Sequence, residues 1–583
     1  MDKRFLSYSK ISLVLIMALV LLTGCNAGLF KSGYSESEIE AISQRLYQEY
    51  IGSISNRKKE LESGEITIGN VTMKHSFSKI GKPGANGYPL YIALRGGGVN
   101  DEKLSDDEWK AMSTHYKSSI SSGIYVAPRC FIAYYDEHYR PESFLFYDRI
   151  IEDAIAFYNV DPNRVYILGF SSGGDGVYQV APHMADRFAG ANMSAGYPHE
   201  RRVGNLYNLP FCIQMGELDS AYDRNILAAE YDGLLNEAAE RYGGGFYHTT
   251  YIHVNGSHNN WYDNSTVKQA VYTGDDVAKW LKNPSQAKIS RIGTDSVLWL
   301  NQFTRDPYPQ KVVWDTDVSA SLRRSQAFYW LDRDGGLTYS HIVASYSKDA
   351  NSVNIEECDA TAGTLKVYLN PEMLNINHRV KVEVLGKNYY VKPIVSEQIM
   401  ESTLYARGDK NYMFTSEIDI AFDKDGNVVS VKAVDRNVTD YSYPEEKPLF
   451  SWSDTGLFYV DESLFGLSPN ELSDKLRLDL PKTVAWDYDG YNLKWTYYND
   501  PCGQTVIFMF QNNRCVIIYS EKEGVVTQKL KAENDLNLGE FVNGDSCKHY
   551  IDNNVYDGVS HIKQAFIWRY YEEWKNMYGT LAI

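Results

Sequence analysis

The sequence predicts an α/β protein: a mostly parallel sheet with helices on both faces, followed by a β-sandwich and a small α+β module. Three observations carry this reading. Between residues 60 and 300, short apolar runs alternate with longer amphipathic stretches, a pattern that folds as a parallel sheet between helices. After residue 312 the strand-like runs follow one another without helices between them. At 583 residues the chain is also longer than one ordinary core can enclose.

The first element is a leader. Lys3, Arg4 and Lys10 precede the apolar stretch Ile11–Leu22, and Leu22-Thr23-Gly24-Cys25 follows. A run of about 12 apolar residues falls short of the roughly 20 that span a bilayer, so it reads as a signal-peptide core. Its L-x-G-C ending resembles the lipobox of bacterial lipoproteins. That resemblance implies cleavage after residue 24, lipidation of Cys25 and an exported protein tethered to the cell envelope by lipid. Residues 25–59 are expected to be a tether and a helix, with Ser35 and Glu38 as a capping box at its start.

In the segment 60–300, Glu65–Ile80 reads as a hairpin turning at Gly69-Asn70. Strands are expected at Tyr88–Leu94, Ile124–Ala127, Val165–Leu168, Gly190–Met193, Phe211–Met215 and Phe246–Val254. Helices are expected at Ser143–Tyr158, Asn225–Tyr242 and Thr266–Leu281. From 312 to 435 the runs Lys311–Trp314, Ala327–Leu331, His341–Ser347, Thr364–Leu369, Val380–Val384, Lys387–Val391 and Ile418–Phe422 form the sandwich pattern. From 440 to 583, Ser468, Pro469 and Glu471 start a helix. Val506–Phe510 and Arg514–Tyr519 read as a hairpin, and His561–Trp574 as a closing helix.

Composition narrows the partners. The formal net charge is −17, which argues against binding nucleic acid or anionic lipid through a basic surface. Aromatic residues make up 14 % of the chain, which suits strand-rich modules. Beyond Cys25, the cysteines Cys130, Cys212, Cys358, Cys502, Cys515 and Cys547 are too scattered for a disulfide scaffold. Cys212 reads as a buried thiol, and Cys502 is a candidate to pair with Cys515 or Cys547. No CxxC or HExxH spacing marks a metal site, and no cofactor is expected.

The chemistry centres on Arg164–Asp175. An apolar strand ends in Gly169-Phe170-Ser171-Ser172-Gly173, with Gly174 and Gly176 extending the glycines. A strand that turns sharply into a helix strains its turn residue, and flanking glycines leave Ser171 Oγ standing clear at the end of the sheet. A serine hydroxyl needs a base to take its proton and an acid to orient that base. Asp219 follows the strand Phe211–Met215 and His258 follows Phe246–Val254, so Ser171, Asp219 and His258 stand in the chain order such sheets use. Asp223 and Glu217 are alternative acids. His253 and His248 belong to a strand, and His183 and His199 precede every candidate acid. Backbone N–H groups of Ser172 and of Arg95–Gly98, above all Gly96 and Gly97, are the candidate oxyanion donors. Trp261 and the tyrosine-rich loop Cys130–Tyr139 are candidates either to line a substrate pocket or simply to pack.

These motifs carry a resemblance. From Tyr88 to Trp261 the chain resembles the α/β-hydrolase superfamily, and within it exported esterases of the polyhydroxybutyrate-depolymerase and feruloyl-esterase type. The stretches concerned are Leu94–Gly98, Gly169–Gly174, Ala185–Ala189, Gly216–Asp219 and Gly256–His258. The resemblance implies hydrolysis of carboxylic esters; a β-sandwich on a tethered esterase suggests, by fold analogy, polymer- or glycan-linked esters as substrates. It leaves a serine peptidase with the same triad, or a silent surface-binding lipoprotein, as alternatives. One position departs from the pattern: the oxyanion motif usually opens with His, and Arg95 stands there. That arginine is expected to reach an acidic substrate group or a neighbouring carboxylate. On this reading residues 312–583 position the enzyme on its substrate, and their deletion is expected to spare turnover of small esters.

Overall fold

The computed structural model describes residues 34–531, apart from short stretches of which the longest are 317–326 and 437–449. Cys25, Gly98, Cys502, Cys547 and the expected helix His561–Trp574 lie outside the described residues.

Helix α1 (Glu36–Ser53) begins at the expected capping box: Ser35 Oγ accepts from the Glu38 amide, and Glu38 reaches back to the Ser35 amide at 2.9 Å. The strands β1 (Glu65–Ile68), β2 (Val71–Ile80) and β3 (Tyr88–Leu94) follow. Helix α2 (Glu102–Met112), β4 (Gly123–Cys130), α3 (Pro141–Phe157) and β5 (Val160–Phe170) come next. Then come α4 (Ser172–His183), β6 (Gly190–Ser194), β7 (Phe211–Gly216), α5 (Arg224–Tyr242), β8 (His248–His253), β9 (Ala270–Tyr272), α6 (Asp275–Lys282) and β10 (Arg291–Ile292). The ten strands make one sheet in the order β1-β2-β4-β3-β5-β6-β7-β8-β9-β10. From β4 to β8 every neighbouring pair is parallel, and the antiparallel pairs lie at the two margins.

Alternation along the central strands explains why helices cover both faces. Leu90, Ile92 and Leu94 of β3, with Val165 and Ile167 of β5, enter a core that also holds Ile150, Val177 and Leu235 from α3, α4 and α5. Their neighbours Tyr91, Ala93, Tyr166 and Leu168 point the other way, onto Met112 of α2 and onto Val297 and Leu300. All seven residues of β3 are buried, as a strand covered on both faces requires.

Two expectations in this region are corrected. Helix α2 was not foreseen, because its sequence is mostly charged. Its local signal is Asp101, which accepts from the Leu104 amide at 2.9 Å as an N-cap. The helix expected at Thr266–Leu281 starts only at Asp275, after Gly274 at φ +56°. Ala270–Tyr272, containing the β-formers Val271 and Tyr272, instead pairs with β8.

Between residues 311 and 433 the strands fall into two sheets. β11 (Lys311–Asp315), β13 (His341–Ser347), β14 (Ser352–Cys358), β16 (Val380–Val384) and β17 (Lys387–Val391) form one. β12 (Leu331–Arg333), β15 (Gly363–Leu369), β18 (Ser416–Phe422) and β19 (Val428–Ala433) form the other. Here too the sequence reading needs correction, since helix α7 (Glu397–Arg407) lies between β17 and β18, capped by Ser396. It packs on α1, where the Tyr50 and Tyr405 rings meet edge to face at 5.2 Å. Apolar side chains of both regions, Phe211 and Tyr178 together with Trp314, Phe328 and Leu365, belong to one continuous core.

Further along, the helix Pro469–Leu476 starts as its cap predicts, with the Ser468 amide donating to Glu471 at 2.8 Å. A five-stranded antiparallel meander runs from Val484 to Lys531 and contains the expected hairpin, Gln504–Gln511 with Arg514–Lys522. Cys515 within it is buried. Among the described residues no helix is long and apolar enough to cross a membrane.

Candidate active site

Ser171 occupies the junction of β5 and α4 at φ +58° and ψ −121°. A non-glycine residue there is strained, and the surroundings must hold it. They do so through small residues: a Cβ on Gly169 would overlap the Gly173 carbonyl, one on Gly173 the Leu94 carbonyl, and one on Gly174 the Ser194 carbonyl. The Ser171 amide donates to the Ser194 carbonyl at 2.9 Å, which ties the turn to β6.

The structure brings the three candidates together from three loops. His258 Nε2 lies 2.9 Å from Ser171 Oγ, and His258 Nδ1 lies 2.7 Å from Asp219 Oδ2. A carboxylate only accepts, so Nδ1 carries the proton and Nε2 is left to accept from the serine hydroxyl. Asp219 is 3 % exposed, while the His258 side chain keeps 31 % of its surface exposed.

The two loops that carry Asp219 and His258 are stitched to each other. The Leu218 amide donates to the Gly256 carbonyl at 2.6 Å, and the Asn255 amide donates to Glu217 Oε2 at 2.8 Å. Glu217 Oε1 also accepts from Trp280 Nε1 at 3.1 Å, so this carboxylate braces the loops and faces away from His258. Asp223 is exposed on the next turn, at φ +57°. Of the three acids left open by the sequence, Asp219 alone among the described contacts reaches His258.

The remaining histidines are engaged elsewhere. His253 Nε2 lies 2.8 Å from Gln214 Oε1, and burial drives this imidazole down to about 3. His248 sits against the Phe246 carbonyl at 2.7 Å and is drawn to Asp232. His199 meets Tyr139 Oη at 2.9 Å, and His183 meets the Gln179 carbonyl. Trp261 is buried and stacks on His253 with ring centroids 4.2 Å apart. Its ring also meets that of Phe170 at 6.0 Å, and Phe170 in turn stands 5.5 Å from His258.

The glycines of the candidate oxyanion loop stand beside the nucleophile. A Cβ on Gly96 would lie 3.3 Å from Ser171 Cβ, and Gly97 has φ +94°. Ser172 is the first residue of α4, where helix amides lack helical partners. Of the two partners expected for Arg95, the structure supplies the neighbouring carboxylate. Arg95 is fully buried and paired with buried Glu137, so its guanidinium is not presented to the cleft. Sequence reasoning missed Glu137 and His138, which lie in the loop noted only for its tyrosines and match no spacing rule. It also missed Glu108 of α2, whose Oε2 lies 3.3 Å from the same Cβ position on Gly96. Among the described residues no group of three or more His, Cys, Asp or Glu side chains is placed to hold a metal ion.

No protein-family model and no curated protein sequence matches the chain. Among solved structures it is similar to a thermostable esterase, at 18 % identity over 41 % of this chain and 62 % of the other, with a TM-score of 0.28. It is similar to the BES protein from Bacillus cereus at 14 % identity, over 34 % and 88 % of the two chains, with a TM-score of 0.24. A third similarity is to an α/β-hydrolase enzyme from a Medee basin deep-sea metagenome library, at 14 % identity over 33 % and 82 %, with a TM-score of 0.25.

Proposed function

We propose that this protein is a serine hydrolase of the α/β-hydrolase kind that cleaves carboxylic esters through an acyl-enzyme. The observation that carries the reading is the continuous relay from Asp219 through His258 to Ser171, with hydrogen bonds of 2.7 and 2.9 Å.

In that reaction His258 Nε2 takes the Ser171 proton as Oγ bonds to the ester carbonyl carbon. The tetrahedral oxyanion is stabilised by the Ser172 amide and by amides of Gly96 and Gly97. Its collapse breaks the bond to the alcohol oxygen, which leaves with the proton from His258. Water then attacks the acyl-serine, giving its proton to His258, and a second collapse releases the carboxylic acid and restores Ser171. Asp219 stays ionised, fixing the tautomer of His258 and stabilising its cation.

The direct test is covalent. An alkyl fluorophosphonate should add once per chain, at Ser171, and the adduct should be absent from His258→Ala. Labelling elsewhere, or none in folded protein, would contradict the reading.

The two sheets between residues 311 and 433 are read as a β-sandwich fused to the catalytic sheet, and by fold analogy such a module on a tethered esterase favours polymer- or glycan-linked esters. The leader and Cys25 support export and lipid anchoring. Metabolic labelling with palmitate should mark the parent protein and not Cys25→Ala.

A further inference from the structure

We propose that Arg95 and His138, with Glu137, are positioning residues that aim the oxyanion donors through the backbone without touching substrate. The proposal rests on the serine-hydrolase reading above.

Both carbonyls that flank the donor amides are anchored on the buried side. His138 Nε2 lies 2.8 Å from the Arg95 carbonyl oxygen. Burial, with the nearby Arg95 charge, pulls the His138 imidazole down to about 3, so the ring is neutral. A carbonyl only accepts, so the proton sits on Nε2, and Nδ1 accepts from the Cys130 thiol at 3.1 Å. Arg95 folds back on its own loop: Nη1 donates to the Gly96 carbonyl at 2.8 Å, and Nε donates to the Arg129 carbonyl at 2.8 Å.

A trans peptide is planar, so its N–H points opposite its C=O. Fixing the Arg95 carbonyl toward His138 turns the Gly96 amide away from the buried cluster, toward the face shared with Ser171. Fixing the Gly96 carbonyl on Arg95 does the same for the amide of Gly97. Glycine is the residue whose backbone most needs such restraint, and Gly97 already has φ +94°.

The anchors are themselves held. Arg95 and Glu137 form an ion pair with both side chains fully buried. The Tyr147 hydroxyl donates to the His138 carbonyl at 2.9 Å, and Ser143 Oγ donates to the Glu137 carbonyl at 2.6 Å, which ties the pair to α3. A Cβ on Gly176 would lie 2.6 Å from His138 Cβ, so α4 rests directly on the same residue. The oxyanion loop, the nucleophile helix and the loop after β4 therefore converge on His138. This arrangement accounts for an arginine at the position where the related motif opens with histidine.

The test compares full-length parent, His138→Leu and His138→Gln on p-nitrophenyl butyrate, with butylboronic acid as the tetrahedral analogue. A small misplacement of catalytic donors costs about 10- to 100-fold. His138→Leu should therefore lose about that factor in kcat with KM nearly unchanged, and boronate affinity should fall in parallel. His138→Gln, whose amide can donate to the Arg95 carbonyl, should regain most of both. A folded His138→Leu with parental kcat, a loss confined to KM, or a Gln variant no better than Leu would overturn the proposal. If His138→Leu shows no cooperative unfolding transition, Arg95→Lys is judged by the same kcat and boronate criteria. A folded parent without ester turnover overturns the hydrolase reading, and this proposal with it.

Discussion

Arg305 Nη2 meets Asp409 Oδ2 at 2.6 Å, although one precedes β11 and the other follows α7. Both residues are buried, and Arg407 pairs with Asp186 alongside them. The Asp186 carbonyl also accepts from Arg305 Nη1 at 2.9 Å and from Tyr412 Oη at 2.6 Å. The region after residue 311 is thus bolted to the ten-stranded sheet region through buried charges.

Deletion of residues 312–583 should therefore abolish soluble, cooperatively folding protein, in contrast to the detachable module that the sequence pattern implies. Arg407→Ala in the whole chain should lower unfolding stability by about 3–5 kcal/mol, because it removes one partner of a buried ion pair. Denaturant unfolding of that variant checks this; a loss below about 1 kcal/mol, the range of a surface pair, would count against it.

The identity of the acid is open to a clean comparison. Asp219→Asn should lower kcat by about 10⁴-fold, because it favours the wrong tautomer of His258. Asp223→Asn should leave kcat unchanged. Glu217→Gln should lose far less than Asp219→Asn, since an amide oxygen can still accept from Asn255. A Glu217 loss as large as that of Asp219 would reassign the acid.

At the turn that carries the nucleophile, Gly173→Ala forces a Cβ into the Leu94 carbonyl. Backbone has to move, and Ser171 moves with it. Activity should drop by about 100-fold or more, as for a nucleophile displaced by an ångström. Gly233→Ala on α5, where a Cβ meets nothing within 4 Å, is the control and should keep full activity.

Stability should also depend on pH through His341. Its hydrogen bond to Asp315, at 2.6 Å, raises this imidazole above its usual range, Glu357 adds to the effect, and Arg241 opposes it. The ring also meets Tyr242 Oη of α5 at 3.1 Å, so it links the later region to the catalytic sheet. A raised folded value means the contribution is complete below the unfolded pKa of about 6.5 and fades as pH rises through the folded one. The stability gap between parent and His341→Phe should therefore be widest near pH 5 and shrink toward pH 9. A gap that widens with pH would contradict this assignment.

Much of the ten-stranded sheet was legible because its central strands are buried on both faces and so appear as short apolar runs; Tyr88–Leu94 was placed to the residue. The convergence of Ser171, Asp219 and His258 was legible for a related reason: each sits just past the end of such a run. Helix α2 was not, since a charged helix leaves little apolar periodicity and only Asp101 marks its start. Helix α7 carries helically spaced Ile399, Met400 and Leu404, but it was passed over because it lies among strand-like runs. The least legible feature was the support of the oxyanion loop. Arg95 stood out as a departure, but its partners Glu137 and His138 lie more than forty residues further along and meet it only through tertiary packing.

The most direct measurement is hydrolysis of p-nitrophenyl esters of increasing acyl length by the parent protein and by Ser171→Ala. Turnover by the parent that falls about 10³-fold or more in the variant, with the fold intact, is the expected result. Equal turnover by both, or none by the folded parent on any chain length, would contradict a serine esterase built on Ser171, His258 and Asp219.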